Sequence, residues 1–172
     1  MKKINFTNHV EFVQAARELF TDDYQLAYKE DSEDGGTCLY RMPDDPNVRC
    51  LIGRLFYGHI PEGHPFWEYE GSLISATGMH DIIQETFPWL SLKIAEKVQK
   101  FHDTRAGLYD AKNQDTLSWD ALEKEAATYD TPEMVKKQQE LREKVQNLPF
   151  YYGVSSDEAR QANQLRHLLR NF

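Results

Sequence analysis

The sequence predicts an α+β fold: a small antiparallel β-hairpin packed by several helices, with a C-terminal helical hairpin. Three observations lead there. Two strand-like runs, residues 37–41 and 48–52, flank a dense turn signal. Apolar residues recur at helical spacing on both sides of them. Thr131-Pro132-Glu133 then combines an N-cap, a first-turn proline and an early acid, a strong helix start. On this reading residues 1–130 form a compact α+β body and residues 131–172 an extension.

Taken in order, Asn8 followed by Glu11 resembles a capping box and opens a helix over about residues 8–20, with Phe12, Val13, Ala16, Leu19 and Phe20 inward. Tyr24 to Lys29 alternates weakly and is read as an ambiguous, strand-capable segment. In the predicted hairpin, Cys38-Leu39-Tyr40 and Val48 to Ile52 are the arms, and Met42 to Asn47 the turn. Gly53 interrupts the second arm, which signals a bulge or the close approach of another backbone. Residues 56–71 are too aromatic for a linker and read as a shaped loop. Helices follow over 79–87, 91–103 and 118–128. Val135, Leu141, Val145 and Leu148 mark a helix that is polar on most of its surface and ends at Pro149. Ser155 and Glu158 cap a last helix carrying Ala162, Leu165, Leu169 and Phe172.

At 172 residues and 40% hydrophobic the chain can bury a core without staples. Two cysteines exclude a disulfide-dense scaffold and a four-cysteine zinc module. The net charge is −8, and residues 1–36 hold 4 basic and 8 acidic side chains. Such a chain is repelled by phosphate backbones, so nucleic acid is not the expected partner. No apolar run reaches the ~18 residues a membrane span needs, and no apolar stretch follows Lys2-Lys3. The expected setting is the cytoplasm.

The segment holding Cys38-Leu39-Tyr40-Arg41, Cys50-Leu51-Ile52-Gly53-Arg54-Leu55 and Val98-Gln99-Lys100-Phe101-His102-Asp103 resembles a family of small, uncharacterised bacterial and phage proteins. Members show an N-terminal helix, Cys-x-Tyr-Arg, a turn, Cys-Ala-x-Gly-x-Leu-Ile-Pro, a helix ending Leu-Gln-x-x-His-Asp, then a Trp-containing helix, as Trp119 provides here. The resemblance covers about residues 8–128. Leu51 replaces a small residue, Phe56-Tyr57 replaces Ile-Pro, and the aromatic loop is longer. The resemblance implies bacterial genomes and mobile elements as the setting, and supplies no catalytic activity.

Four constellations carry candidate chemistry. Cys38 and Cys50 share one face of the predicted hairpin and are read as reduced, structural residues together with Gly53, His102 and Asp103. A zinc site of Cys38, Cys50, His59 and His64 matches no standard spacing, so no metal and no cofactor is expected. The aromatic loop (Tyr57, His59, His64, Phe66, Trp67, Tyr69) offers a binding surface, against the alternative of a second small core. The C-terminal hairpin offers another through Leu141, Val145, Leu165, Arg166, Leu169 and Arg170, where a second copy of the chain is the first-choice partner.

No Gly-rich phosphate loop, Gly-x-Ser-x-Gly elbow or His-Glu-x-x-His is present. The expected function is therefore that of a small accessory or regulatory protein, phage- or mobile-element-encoded, binding a host factor or defence system. The rival is a metal-dependent hydrolase or nuclease using His80, His102 and Asp103, with Asp130 as the distant acid.

Overall fold

The computed structural model describes residues 1–22, 27–29, 37–69, 77–105 and 118–146, and positions 160, 161, 164, 165 and 168 near the C-terminus; side chains at 28, 77–80 and 146 are not described. Among these residues the elements run α1 (His9–Leu19), β1 (Tyr28–Lys29), β2 (Thr37–Cys38), α2 (Leu51–Phe56), a 3-10 turn (Pro65–Glu68), α3 (Thr77–Thr86), α4 (Leu92–Arg105), α5 (Trp119–Tyr129) and α6 (Pro132–Gln146).

The α+β expectation is overturned: the described chain is mainly α-helical. Its only ladder pairs β1 with β2 antiparallel, Tyr28 opposite Cys38 and Lys29 opposite Thr37. The predicted hairpin over 37–55 does not form. The chain does reverse at the expected turn, where Met42 N–H donates to the Val48 carbonyl at 2.9 Å and Cys50 N–H to the Leu39 carbonyl at 3.3 Å. It then enters a helix instead of a strand. Cys50 caps α2, its Sγ accepting the Gly53 N–H at 3.3 Å. The physical reason lies in the run Leu51-Ile52-Gly53-Arg54-Leu55-Phe56, where all but Arg54 are buried. A short apolar run buried on nearly every side has no readable period, so a strand and a helix look alike in sequence.

The other helices start where local chemistry sets them. The Asn8 side chain accepts the Glu11 N–H at 2.9 Å, and the Glu11 carboxylate reaches back to Thr7 N at 2.7 Å. Ser118 Oγ accepts the Ala121 N–H at 3.3 Å and Thr131 Oγ1 the Met134 N–H at 3.3 Å. Each side-chain acceptor satisfies an amide that has no partner within its helix.

Helix α1 lies at the centre, packed on α2, α4 and α5, while α4 also touches α2 and α5. Phe12, Val13 and Ala16 of α1 are wholly buried against Leu55 and Phe56 of α2, Ile94, Ala95 and Val98 of α4, and Leu122 and Ala126 of α5. Arg17 of α1 reaches Asp120 and Glu123 of α5 at 2.8 and 3.0 Å, and Lys97 of α4 reaches Glu125 at 2.6 Å. The exposed Arg17–Asp120 pair fixes register more than it stabilises. Helix α6 docks by polar contacts: Gln138, 5% exposed, donates to the Trp89 carbonyl at 3.1 Å, and Arg142 to Gln84 Oε1 at 2.7 Å. No helix among the described residues is long and apolar enough to cross a membrane.

Phe101 closes the far end of this core. Its ring stacks on Trp119 at 3.7 Å between centroids and meets Phe20 edge-on at 6.1 Å. Phe101→Ala is expected to lower the unfolding free energy by about 3–5 kcal/mol. Urea titration checks this, and exposure of Trp119 should red-shift the folded-state fluorescence. An unchanged midpoint would place Phe101 outside the core.

Candidate functional site

Three elements deliver polar, chemistry-bearing side chains to one buried place. The end of β2 supplies Cys38, and Tyr40 follows it. The N-cap of α2 supplies Cys50. The last turns of α4 supply Gln99, His102 and Asp103. Ala95, Val98, Gln99 and His102 fall at helical spacing, so α4 turns the glutamine and the imidazole to the same interior face as its apolar residues. Cys38 is 3% exposed, and Cys50, Tyr40 and His102 are fully buried.

The cluster is tight. One donor atom each from Cys38, His102 and Asp103 lies within 4.8 Å of the other two. His102 Nδ1 and Asp103 Oδ1 are 3.1 Å apart. Tyr40 donates its hydroxyl to Gln99 Oε1 at 3.3 Å. Cys38 hydrogen-bonds Cys50, and this contact, then burial, then the nearby charges of Cys50 and Asp103 push the Cys38 thiol well up; Gln99 opposes them. Burial is the main cause that drives the Tyr40 hydroxyl up as well. Both cysteines are free thiols. A protonated thiol is a poor nucleophile, so the cluster is not built for thiolate attack.

The predicted zinc alternative finds no support: His59 and His64 do not join the cysteines. His59 Nε2 donates to the Ile4 carbonyl at 2.7 Å, and His64 Nδ1 accepts the Phe66 N–H at 3.1 Å. The rival's acid is also elsewhere, because Asp130 is bonded to His9. The side chain of His80 lies outside the described residues.

In the aromatic loop the structure places a cation of the chain itself. The Arg49 guanidinium, 2% exposed, sits 4.3 Å from the Trp67 ring centroid and 5.0 Å from that of Tyr57. It donates to both oxygens of Glu62 at 3.0 Å. Phe66 and Trp67 are buried, with Phe66 against Tyr40 and Phe56, whereas Tyr57, His59, His64 and Tyr69 are half-buried. On the C-terminal side Leu141, Val145 and Leu165 are half-buried; Arg166, Leu169 and Arg170 lie outside the described residues.

One centre carried no sequence signal. His9, 2% exposed, donates from Nδ1 to Asp130 Oδ1 at 2.6 Å, and its Nε2 accepts the Ser91 N–H at 3.0 Å. The same carboxylate accepts the N–H groups of His9 and Val10 at 3.0 and 2.9 Å. His9 and Asp130 stand 121 residues apart, so no local pattern pairs them. An Nε2 that accepts a backbone amide carries no proton, so the ring is neutral.

Burial, opposed by Asp130, lowers the His9 pKa below its ordinary 6.5. The unfolded chain then binds the proton more readily than the folded one. Stability is accordingly full above the unfolded value and falls as pH drops below it, by up to ~1.4 kcal/mol per pH unit. His59, also lowered chiefly by burial, acts in the same direction. Urea unfolding at pH 7.5 and pH 5.5 measures the slope, and His9→Gln should flatten it. A slope unchanged in that variant would assign the effect to other groups.

No family model, curated protein or solved structure matches the chain.

Proposed function

We propose that the chain is a small accessory or regulatory protein, phage- or mobile-element-encoded and working in the host cytoplasm, that binds a host protein or a component of host defence. The observation that supports this most is where the reactive side chains lie. His9, Cys38, Cys50 and His102 are each 3% exposed or less and are packed into the core. Asp103 is the most open member of the pair the hydrolase rival needs, and its side chain is only 14% exposed. A substrate has no face of these groups to meet. What the molecule offers outward is an acidic surface and the flank of its C-terminal third. There Val135 is 49% and Leu168 56% exposed, with Leu141, Val145 and Leu165 half-buried. An exposed Val135 on the largely polar α6, and an exposed Leu168 outside it, favour contact with another protein over a small ligand.

The test uses the tagged full-length protein. One host protein should co-purify in stoichiometric amount, with cross-links mapping to residues 131–172. Val135→Glu with Leu168→Glu should weaken that complex more than tenfold and leave the melting temperature unchanged. Sedimentation of the protein alone tells a host partner from a second copy of the chain. Hydrolysis of a model phosphodiester in Mn²⁺ or Zn²⁺, abolished by His102→Ala, would replace the binding reading with the hydrolase one.

A further inference from the structure

We propose that Cys38, His102 and Asp103 form a binding site for a single divalent cation of the zinc class, with the Cys50 thiol as the adjacent fourth donor. This goes beyond the binding function, and neither depends on the other. The first support is convergence: donors from β2 and α4, separated by more than 60 residues of sequence, lie mutually within 4.8 Å. A tetrahedral zinc site places donors roughly 3.3–3.8 Å apart, given bonds of ~2.0–2.3 Å. Cys38, His102 and Asp103 therefore have to close by only about 1–1.5 Å.

The second support is donor chemistry. One thiol, one imidazole and one carboxylate suit zinc, cobalt or iron(II); magnesium and calcium require oxygen ligands. Charge balance agrees. A Cys38 thiolate and an Asp103 carboxylate together neutralise a dication. Binding is a proton exchange: Cys38–SH and M²⁺ give Cys38–S–M and one proton released to solvent. Because a proton is released, affinity rises as pH rises.

The third support is the surrounding frame. Gln99 contacts Cys38 through its side chain and accepts the Tyr40 hydroxyl at 3.3 Å, so the thiol is oriented by a bonded chain. The Gly53 N–H donates to Cys50 Sγ at 3.3 Å, which holds the second sulfur in place. Partners of this kind fix ligand geometry in metal sites. The site is closed, with every donor residue but Asp103 at 3% exposure or less, which suits a structural ion.

The experiment uses full-length protein purified with reductant and without chelator. Elemental analysis should find about one zinc per chain. After dialysis against chelator, Co²⁺ should produce visible d–d bands and a near-ultraviolet sulfur-to-cobalt charge-transfer band. Zn²⁺ should raise the melting temperature of the wild type in a concentration-dependent way. Cys38→Ala and His102→Ala should lose the charge-transfer band or weaken Co²⁺ binding at least tenfold, whereas His59→Ala should leave it unchanged. Should the first two variants not fold, Asp103→Asn and the zinc-dependence of the wild-type melting temperature decide. The proposal is overturned if the wild type binds neither ion. It is also overturned if Co²⁺ binding is the same in folded Cys38→Ala or Asp103→Asn.

Discussion

Gly53→Ala should destabilise the protein by more than about 3 kcal/mol, although it adds a better helix former to the middle of a helix. At an exposed helical position the same change stabilises by roughly 0.5–1 kcal/mol. The sign reverses here because of what the new methyl meets. A Cβ on Gly53 would lie 2.0 Å from the Tyr40 carbonyl oxygen, 3.0 Å from its carbon and 3.2 Å from Arg49 Cβ. The first two are backbone atoms and have no rotamer to move to. The segment holding them is tied down on both sides. Leu39 N–H donates to the Ala27 carbonyl at 3.0 Å, Cys50 N–H donates to Leu39, and Tyr40 is bonded to Gln99. Relief would mean pulling α2 off the segment, which opens the contact between α2 and α4 and disperses the Cys38 cluster. For a chain of this size the loss corresponds to a drop in melting temperature of roughly 6–12 °C. Gly53→Ser should behave alike, since it carries the same Cβ. A melting temperature unchanged or raised in Gly53→Ala would show that the two backbones do not touch.

Asp130→Ala should cost about 3–5 kcal/mol, far more than a surface ion pair, because it strands three donors at roughly 1–3 kcal/mol each. Removing this carboxylate leaves the His9 ring and the N–H groups of His9 and Val10 without their acceptor at the start of α1. It also severs α5 from α1 at the point where their ends meet. Asp120→Ala is the control. Asp120 also pairs with α1, through Arg17, but its side chain is 73% exposed, and its loss should cost at most ~1 kcal/mol. Asp130→Asn separates charge from geometry. It keeps one acceptor oxygen and should recover part of the loss at neutral pH. Without the anion beside it, His9 is harder to protonate in the folded state, so acid should destabilise this variant more steeply than the wild type. Chemical denaturation of all three at two pH values is sufficient. Equal losses for Asp130→Ala and Asp120→Ala would show that the buried site is no stronger than the surface one.

Much of the helical content was legible because the cues were local. Asn8, Ser118 and Thr131 sit at the starts of α1, α5 and α6 as capping residues, and the apolar spacing along α4 marks its inward face. The turn at Met42–Asn47 was legible for the same reason, from two prolines and two aspartates within six residues. The failure came at Leu51–Phe56. Residues that pack on the core from nearly all sides lose the alternation or periodicity that tells a strand from a helix, and only the partners around them choose. Arg49 is a related case. A charged side chain is seldom buried unless paired, and here the ring faces of Tyr57 and Trp67 and the Glu62 carboxylate make its burial tolerable.

By itself the sequence determined the charge, the capped helix starts, the chain reversal before Cys50 and the identity of the residues able to carry chemistry. It could do so because each of these depends on neighbours within about one helical turn. Only the tertiary structure decided that α2 is a helix, that His9 belongs to Asp130, and that Cys38 meets His102 and Asp103 in the interior. Those outcomes depend on contacts between residues tens of positions apart. Such contacts are fixed by the joint packing of α1, α2, α4 and α5, which no single segment encodes.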